Sequence, residues 1–367
     1  MADMLDYLAW RGDIEFPQMP VNPVDALIFS TLSYIQFEDI VPENPMQSIS
    51  LAEAAAGLFS LNDPVSRTRV KKDLELLEAA AKSPRFDNIK MTFYRSILIP
   101  EEDTQFAAVT IFLEDGSAYI AFRGTDNTLT GWKEDFNMSF QSSIPAQRLA
   151  LEYVQEFAAA HPVPIWMGGH SKGGNLAVYA AAKCGETLQK RIVEVYNQDG
   201  PGFSEAMMDD PGYRNILPKL RSYVPQSSVI GMLLEHEEPY TIIRSSQIGI
   251  MQHDPYSWQV LGANFLPVEE LTADSRFLDR TFKNWLSKMT NEERSEFFDT
   301  VFDLLSSTGA ARTDEIIRPQ NVRSYLKTLQ SNEYMRNILA SELASLVLSA
   351  RQAQGKPEDH LSVTSAE

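Results

Sequence analysis

Hydrophobic and polar positions along the chain fall into three stretches with different periods. Residues 1–85 repeat apolar side chains at helical spacing. Asn22-Pro23 offers an N-cap and a proline for the first helical position, ahead of Ala26, Leu27, Phe29, Leu32 and Ile35. Further helices are predicted over residues 51–61 and from Asp63-Pro64 to about residue 81. The period then changes. Residues 89–99 and 106–113 are apolar and rich in β-branched and aromatic side chains, and Asp115-Gly116 is a strong hairpin signal leading into a third strand at 118–122. These read as antiparallel edge strands of a mixed sheet.

Beyond residue 140, strand and helix alternate. A helix is predicted at 145–161, a strand at 163–167, a helix at 175–183, and strands at 192–196, 220–224 and 240–243. Such alternation argues for a mostly parallel sheet with helices on its faces. From about residue 269 the pattern is helical again. Thr290-Asn291-Glu292-Glu293 forms a capping box, and a last helix is expected over 332–350. The expected organisation is a helical N-terminal extension (1–85), an α/β core (86–265), a C-terminal helical extension (266–351) and a polar, disordered tail (352–367).

Composition narrows the function. Of 367 residues, 32 are Lys or Arg and 50 are Asp or Glu, a formal net charge of −18. With no run of basic residues, that charge argues against nucleic acid as a partner and against docking on anionic membranes. A lone cysteine, Cys184, excludes an intramolecular disulfide and a cysteine zinc site, and its place at a helix end reads as a packed thiol. The five histidines are scattered, so neither a metal nor another cofactor is expected. The N-terminus is acidic and lacks the long apolar run of a secretory signal, and no stretch is long enough for a transmembrane helix. The expected location is the cytoplasm; oligomeric state is not legible.

One motif carries chemistry. Gly169-His170-Ser171-Lys172-Gly173 is a G-x-S-x-G pattern with an apolar strand before it and an apolar helix after it. The pattern alone is common, and a plain glycine-rich turn or a phosphate-binding loop would also match it. The strand–turn–helix setting is the one a nucleophile elbow requires. In an elbow the serine occupies a strained turn, its neighbours are small, and the following helix aims backbone N–H groups at a developing negative charge.

A serine nucleophile needs a base, an orienting acid and an oxyanion hole. His236, His253 and His360 follow Ser171. His360 lies in the polar tail and His236 in what reads as an exposed acidic turn. His253, in Gln252-His253-Asp254-Pro255 just past the last core strand, is the candidate base. The candidate acid is Asp199, beyond the strand at 192–196, although Asp-Gly-Pro-Gly is also a common turn sequence. Glu235 and Asp254 are weaker alternatives. The oxyanion donors are expected to be the N–H of Lys172 and an N–H from the turn Arg123-Gly124-Thr125-Asp126, with Thr125 favoured. Arg123 itself reads as a structural ion-pair member, and residues 132–136 as a short helix covering the site.

Phe122-Arg123-Gly124-Thr125, Trp132 and Asp135, and Gly-His-Ser-x-Gly-Gly followed by Asn175-Leu176-Ala177 together resemble the class 3, fungal-type triacylglycerol lipases over about residues 90–260. With the opening Asp6-Tyr7-Leu8-Ala9-Trp10-Arg11-Gly12-Asp13, the chain from 5 to about 350 resembles a bacterial family of lipase-like α/β-hydrolases. The resemblance implies an α/β-hydrolase fold. It also implies Ser171 as nucleophile, His253 as base, and Thr125 and Lys172 as oxyanion residues. It departs at the acid. Class 3 lipases carry an Asp after the next strand, where this chain has Pro225-Gln226-Ser227-Ser228; Asp199-Gly-Pro-Gly instead resembles the acid loop of pancreatic-type lipases. Either the acid sits one strand earlier or the triad is incomplete. The expected function is a serine hydrolase acting on a small acyl ester or lipid through an acyl-enzyme. A thioesterase, an acyltransferase and a non-catalytic scaffold on a hydrolase fold are the competing readings.

Overall fold

The computed structural model describes residues 2–354. An eight-stranded sheet organises them, with its strands in sequence order: β1 (Ile49–Ser50), β2 (Lys90–Ile99), β3 (Thr104–Phe112), β4 (Ala118–Phe122), β5 (Ile165–His170), β6 (Ile192–Gln198), β7 (Leu220–Pro225) and β8 (Tyr240–Ile243). The first four strands pair antiparallel and the remaining pairings, β4 to β8, are parallel, as the change of period predicts. The β3–β4 hairpin turns at Asp115-Gly116. Gly116 takes φ 85°, which only glycine adopts without strain, and the Asp115 carboxylate accepts the Ser117 N–H at 2.9 Å.

Helices α1 (Met4–Arg11), α2 (Pro23–Leu32), α3 (Leu51–Phe59) and α4 (Lys72–Ala81) form the N-terminal part. Asn22 caps α2 through the N–H groups of Val24 and Asp25, with Pro23 at the first helical position. The expected long third helix is broken. Residues Val65–Arg67 make a single tight turn, Thr68 is extended, and α4 begins at Lys72. The cause is the Asp73 carboxylate, which accepts the N–H groups of Arg69 and Val70, both at 3.0 Å, and so starts a new helix.

Helices α5 (Leu129–Asn137), α6 (Pro145–Ala160), α7 (Lys172–Lys183), α8 (Glu186–Gln189), α9 (Glu205–Met208) and α10 (Pro211–Ile216) lie between or beside the strands. At the C-terminal end come α11 (Ala273–Leu286), α12 (Asn291–Ser306), α13 (Thr313–Ile316), α14 (Pro319–Ser331) and α15 (Glu333–Gln354). The Thr290 capping box forms as expected. Gln352, Ala353 and Gln354 continue α15, so the helix runs into the stretch expected as tail. Residues 355–367, His360 among them, lie outside the described residues.

Two apolar cores flank the sheet. One joins α6, α7 and α10 to strand residues such as Phe122, Met167 and Val195. The other joins the N-terminal helices to the opposite face, with Phe29 against Tyr119 at a centroid distance of 4.8 Å. That second core contains a charged pair. Asp25, wholly buried, accepts from Arg85 Nε at 2.9 Å, Arg85 Nη2 at 2.6 Å and Tyr7 Oη at 2.8 Å. Removing one member of such a pair strands the other charge without water. Asp25→Ala is therefore expected to destabilise the protein by about 3–5 kcal/mol, read as a fall in the urea midpoint at unchanged slope.

Candidate active site

The site is built where β5 meets α7. Ser171 is the hinge, with φ 58° and ψ −134°, a conformation costly for any residue with a Cβ. Its two flanking glycines are required by contact. A Cβ on Gly169 would lie 2.2 Å from the Gly173 carbonyl carbon, and one on Gly173 would lie 2.2 Å from the Phe122 carbonyl oxygen. Helix and strand approach too closely for any other side chain. The Ser171 N–H donates to the Gln198 carbonyl at 2.9 Å, tying the turn to the end of β6. The Ser171 side chain makes no cap hydrogen bond to α7, so its hydroxyl is not engaged by the helix it begins.

Asp199 follows β6 directly. It too has positive φ, 55°, and is 1% exposed. One carboxylate oxygen, Oδ2, lies 2.6 Å from His253 Nδ1. The other, Oδ1, accepts from Ser228 Oγ at 2.5 Å and Gly231 N at 3.2 Å. The turn after β7 thus holds no carboxylate but supplies the donor that orients one. His253 ends a tight turn, Gly249–His253, beyond β8, and its side chain is about a quarter exposed. The structure therefore joins Asp199 to His253, and the His253 ring lies 4.5 Å from the ring of His170, the residue before Ser171.

His253 is also held through its backbone. His170 Nε2 lies 2.8 Å from the His253 carbonyl, which can only accept, so Nε2 carries the proton. Nδ1 then accepts from the Tyr34 hydroxyl at 3.0 Å. Burial pushes the His170 pKa well below its ordinary value and His253 adds to the effect, so His170 is neutral. Tyr34 and His170 escape sequence reading because their partners are 136 and 83 residues away.

The alternatives separate clearly. Asp254 accepts the Tyr256 N–H and lies 3.7 Å from Arg69, shaping the loop. Glu235 pairs its backbone with Phe203. His236 does not sit in a simple exposed turn. Its Nδ1 lies 3.2 Å from Glu238 Oε1, and Glu238 is buried against Tyr213 and Ser222. Arg123 lies 3.9 Å from Asp126, as a structural ion pair should. Cys184 packs at the end of α7, and burial pushes its thiol up to about 11.

Beyond the end of β4, the Thr125 hydroxyl donates to Asp135 Oδ2 on α5 at 2.5 Å. Lys172 begins α7, where its N–H is at the helix N-terminus. Its side chain turns inward and is fully buried. Among the described residues no cluster of His, Cys, Asp and Glu is arranged to hold a metal ion, and no helix is long and apolar enough to cross a membrane.

A family model described as Mbeg1-like matches residues 80–303. No curated protein matches the chain. Among solved structures, the chain is similar to the native Rhizomucor miehei lipase propeptide complex, at 16% identity over 51% of this chain and 71% of that one, with a TM-score of 0.34. It is similar to M37 lipase at 15% identity, over 65% of this chain and 82% of that one, with a TM-score of 0.37. The sheet order, the parallel half and the strand–serine–helix turn make this an α/β-hydrolase fold.

Asp135 gives the site a pH signature. Burial pushes its carboxyl up to about 6, while the nearby Lys172 charge and the Thr125 hydrogen bond pull it down. A folded pKa above the unfolded one means that the native state binds the extra proton. Ionised Asp135 therefore costs stability above about pH 6, and the cost vanishes as pH falls towards about 4. Asp135→Asn is expected to melt higher than the natural protein near neutral pH, with the gap closing across that window. A gap that does not change with pH would mean that Asp135 does not titrate there.

Proposed function

The chain belongs to the Mbeg1-like family, and from that premise we propose that it is a serine hydrolase cleaving a carboxylic ester through Ser171, His253 and Asp199. The observation that carries this reading is the 2.6 Å contact between His253 Nδ1 and the buried Asp199 carboxylate, beside a serine in a strained turn. With Nδ1 committed to Asp199, Nε2 of His253 is the basic nitrogen.

In the proposed mechanism Ser171 Oγ attacks the ester carbonyl carbon while His253 Nε2 takes the hydroxyl proton. The carbonyl oxygen becomes an oxyanion, held by the N–H groups of Lys172 and Thr125; roughly 2.7–4 kcal/mol of transition-state stabilisation rests on each such donor. Asp199 orients the imidazole and stabilises its cation without itself being protonated. His253 then protonates the departing alkoxide as the carbonyl reforms. Water, deprotonated by the same nitrogen, attacks the acyl-enzyme; the carboxylic acid leaves and Ser171 recovers its proton. A net charge of −18 favours neutral esters or neutral lipid over anionic substrates.

A fluorophosphonate probe is expected to label the natural protein at Ser171. Labelling should disappear in Ser171→Ala and His253→Ala. Asp199→Asn should slow it by roughly 10³- to 10⁴-fold, because the imidazole loses the tautomer and orientation it needs. A correctly folded natural protein that takes up no probe would sink the reading.

A further inference from the structure

The residue after the nucleophile is a lysine whose charge has no access to water. Lys172 Nζ donates to the Gln105 carbonyl at 2.8 Å, to Gln105 Oε1 at 2.7 Å and to Glu134 Oε2 at 2.8 Å, so all its N–H bonds are used. Glu134 is equally enclosed; the pair is 0% exposed on both sides. Glu134 Oε2 also accepts the Gln105 N–H at 3.1 Å, and Oε1 accepts the Ala146 N–H, at the start of α6, at 2.9 Å. One carboxylate and one ammonium therefore fasten together β3, α5, α6 and the first residue of α7.

Such a pair is a poor investment in stability, since well-packed apolar residues of similar volume do as well or better. Its position suggests another use. The next residue along α5 is Asp135, which holds the Thr125 hydroxyl. Lys172 and Thr125 are the two proposed oxyanion donors, and they lie on different elements. The Lys172–Glu134 bond is a direct brace between those elements. α5 is braced on its outer side as well. Lys133 reaches Asp103 at 3.0 Å and Asp299 at 2.9 Å, and Phe136 stacks on Phe298 of α12 at 4.6 Å.

We propose that Lys172 and Glu134 are positioning residues that lock α5, and through Asp135 the Thr125 turn, against the nucleophile elbow, so that α5 is a fixed wall of the site and not a lid. The inference rests on the serine-hydrolase reading above. Lifting α5 would pull Glu134 away from Lys172 and leave an ammonium buried without its counter-charge, a strongly disfavoured state. Keeping α5 in place keeps two donors at a fixed separation, which is what a preorganised oxyanion hole demands.

The test uses the full chain, a fluorophosphonate probe and p-nitrophenyl acetate. Glu134→Gln keeps shape and loses charge; the double variant Lys172→Met, Glu134→Leu removes both charges and refills the volume. The double variant is expected to melt within a few degrees of the natural protein. In both variants kcat and the labelling rate of Ser171 should fall by about 10- to 100-fold with KM changed by less than about threefold, because the donors move and the substrate pocket does not. A double variant that is folded and as fast as the natural protein overturns the proposal while leaving the triad intact. A loss that appears only as a raised KM also overturns it. If Glu134→Gln does not fold, the double variant alone decides the matter, and the reverse holds too. Failure of the natural protein to label at all would instead mark the failure of the hydrolase reading.

Discussion

The close approach of strand and helix at Ser171 is the constraint from which the rest of the site follows. No Cβ fits at positions 169 or 173, and in return α7 starts within contact of the Phe122 carbonyl at the end of β4. That proximity is what brings the turn at Thr125 and the N-terminus of α7 to one place. It also brings the Ser171 N–H onto the Gln198 carbonyl, which fixes where Asp199 emerges. A looser junction would still make a sheet, but Ser171, Asp199 and the turn at Thr125 would no longer share a rim.

Around that rim the protein distributes buried charge unevenly. Asp25 with Arg85 and Lys172 with Glu134 are fully enclosed and internally matched. Asp199 is matched by neutral donors and one imidazole. Asp135 is less well served, because its Oδ1 has no hydrogen-bond partner among the described residues. Two residues held at positive φ, Ser171 and Asp199, sit together at the candidate site, as expected where function competes with stability.

Much of this was legible in the chain itself. The antiparallel edge and the parallel half are legible because the period switches from hairpin strands to strand–helix alternation. Asp115-Gly116, Asn22-Pro23 and the Thr290 capping box announced their turns and caps through local chemistry that tertiary context did not override. The strand–serine–helix turn is legible because both glycines and the serine fall within five consecutive residues. What escaped detection acts at long range. Asp73 breaks a helix by taking two backbone N–H groups that propensity assigned to a continuous helix. Glu238 draws His236 out of an acidic, solvent-like sequence context. Ser228 and Tyr34 carry no motif at all; a hydroxyl gains meaning only when folding places it beside a carboxylate or an imidazole.

The core that the N-terminal helices share with the sheet has a temporal consequence. It gathers Met4, Tyr7 and Phe29 with Tyr119, Trp166 and Tyr196, and with Trp258 and Phe265 near the far end of the sheet; the Ala2 carbonyl even accepts the Val260 N–H. As the chain is synthesised, these helices emerge with apolar faces whose last partners, Trp258 and Phe265, are more than two hundred residues from being made. Contacts of such sequence separation are slow to form, and a nascent chain waiting for them is exposed to aggregation. The N-terminal helices are therefore translated well before the last of their partners, and the yield of folded protein depends on how well those waiting surfaces are shielded.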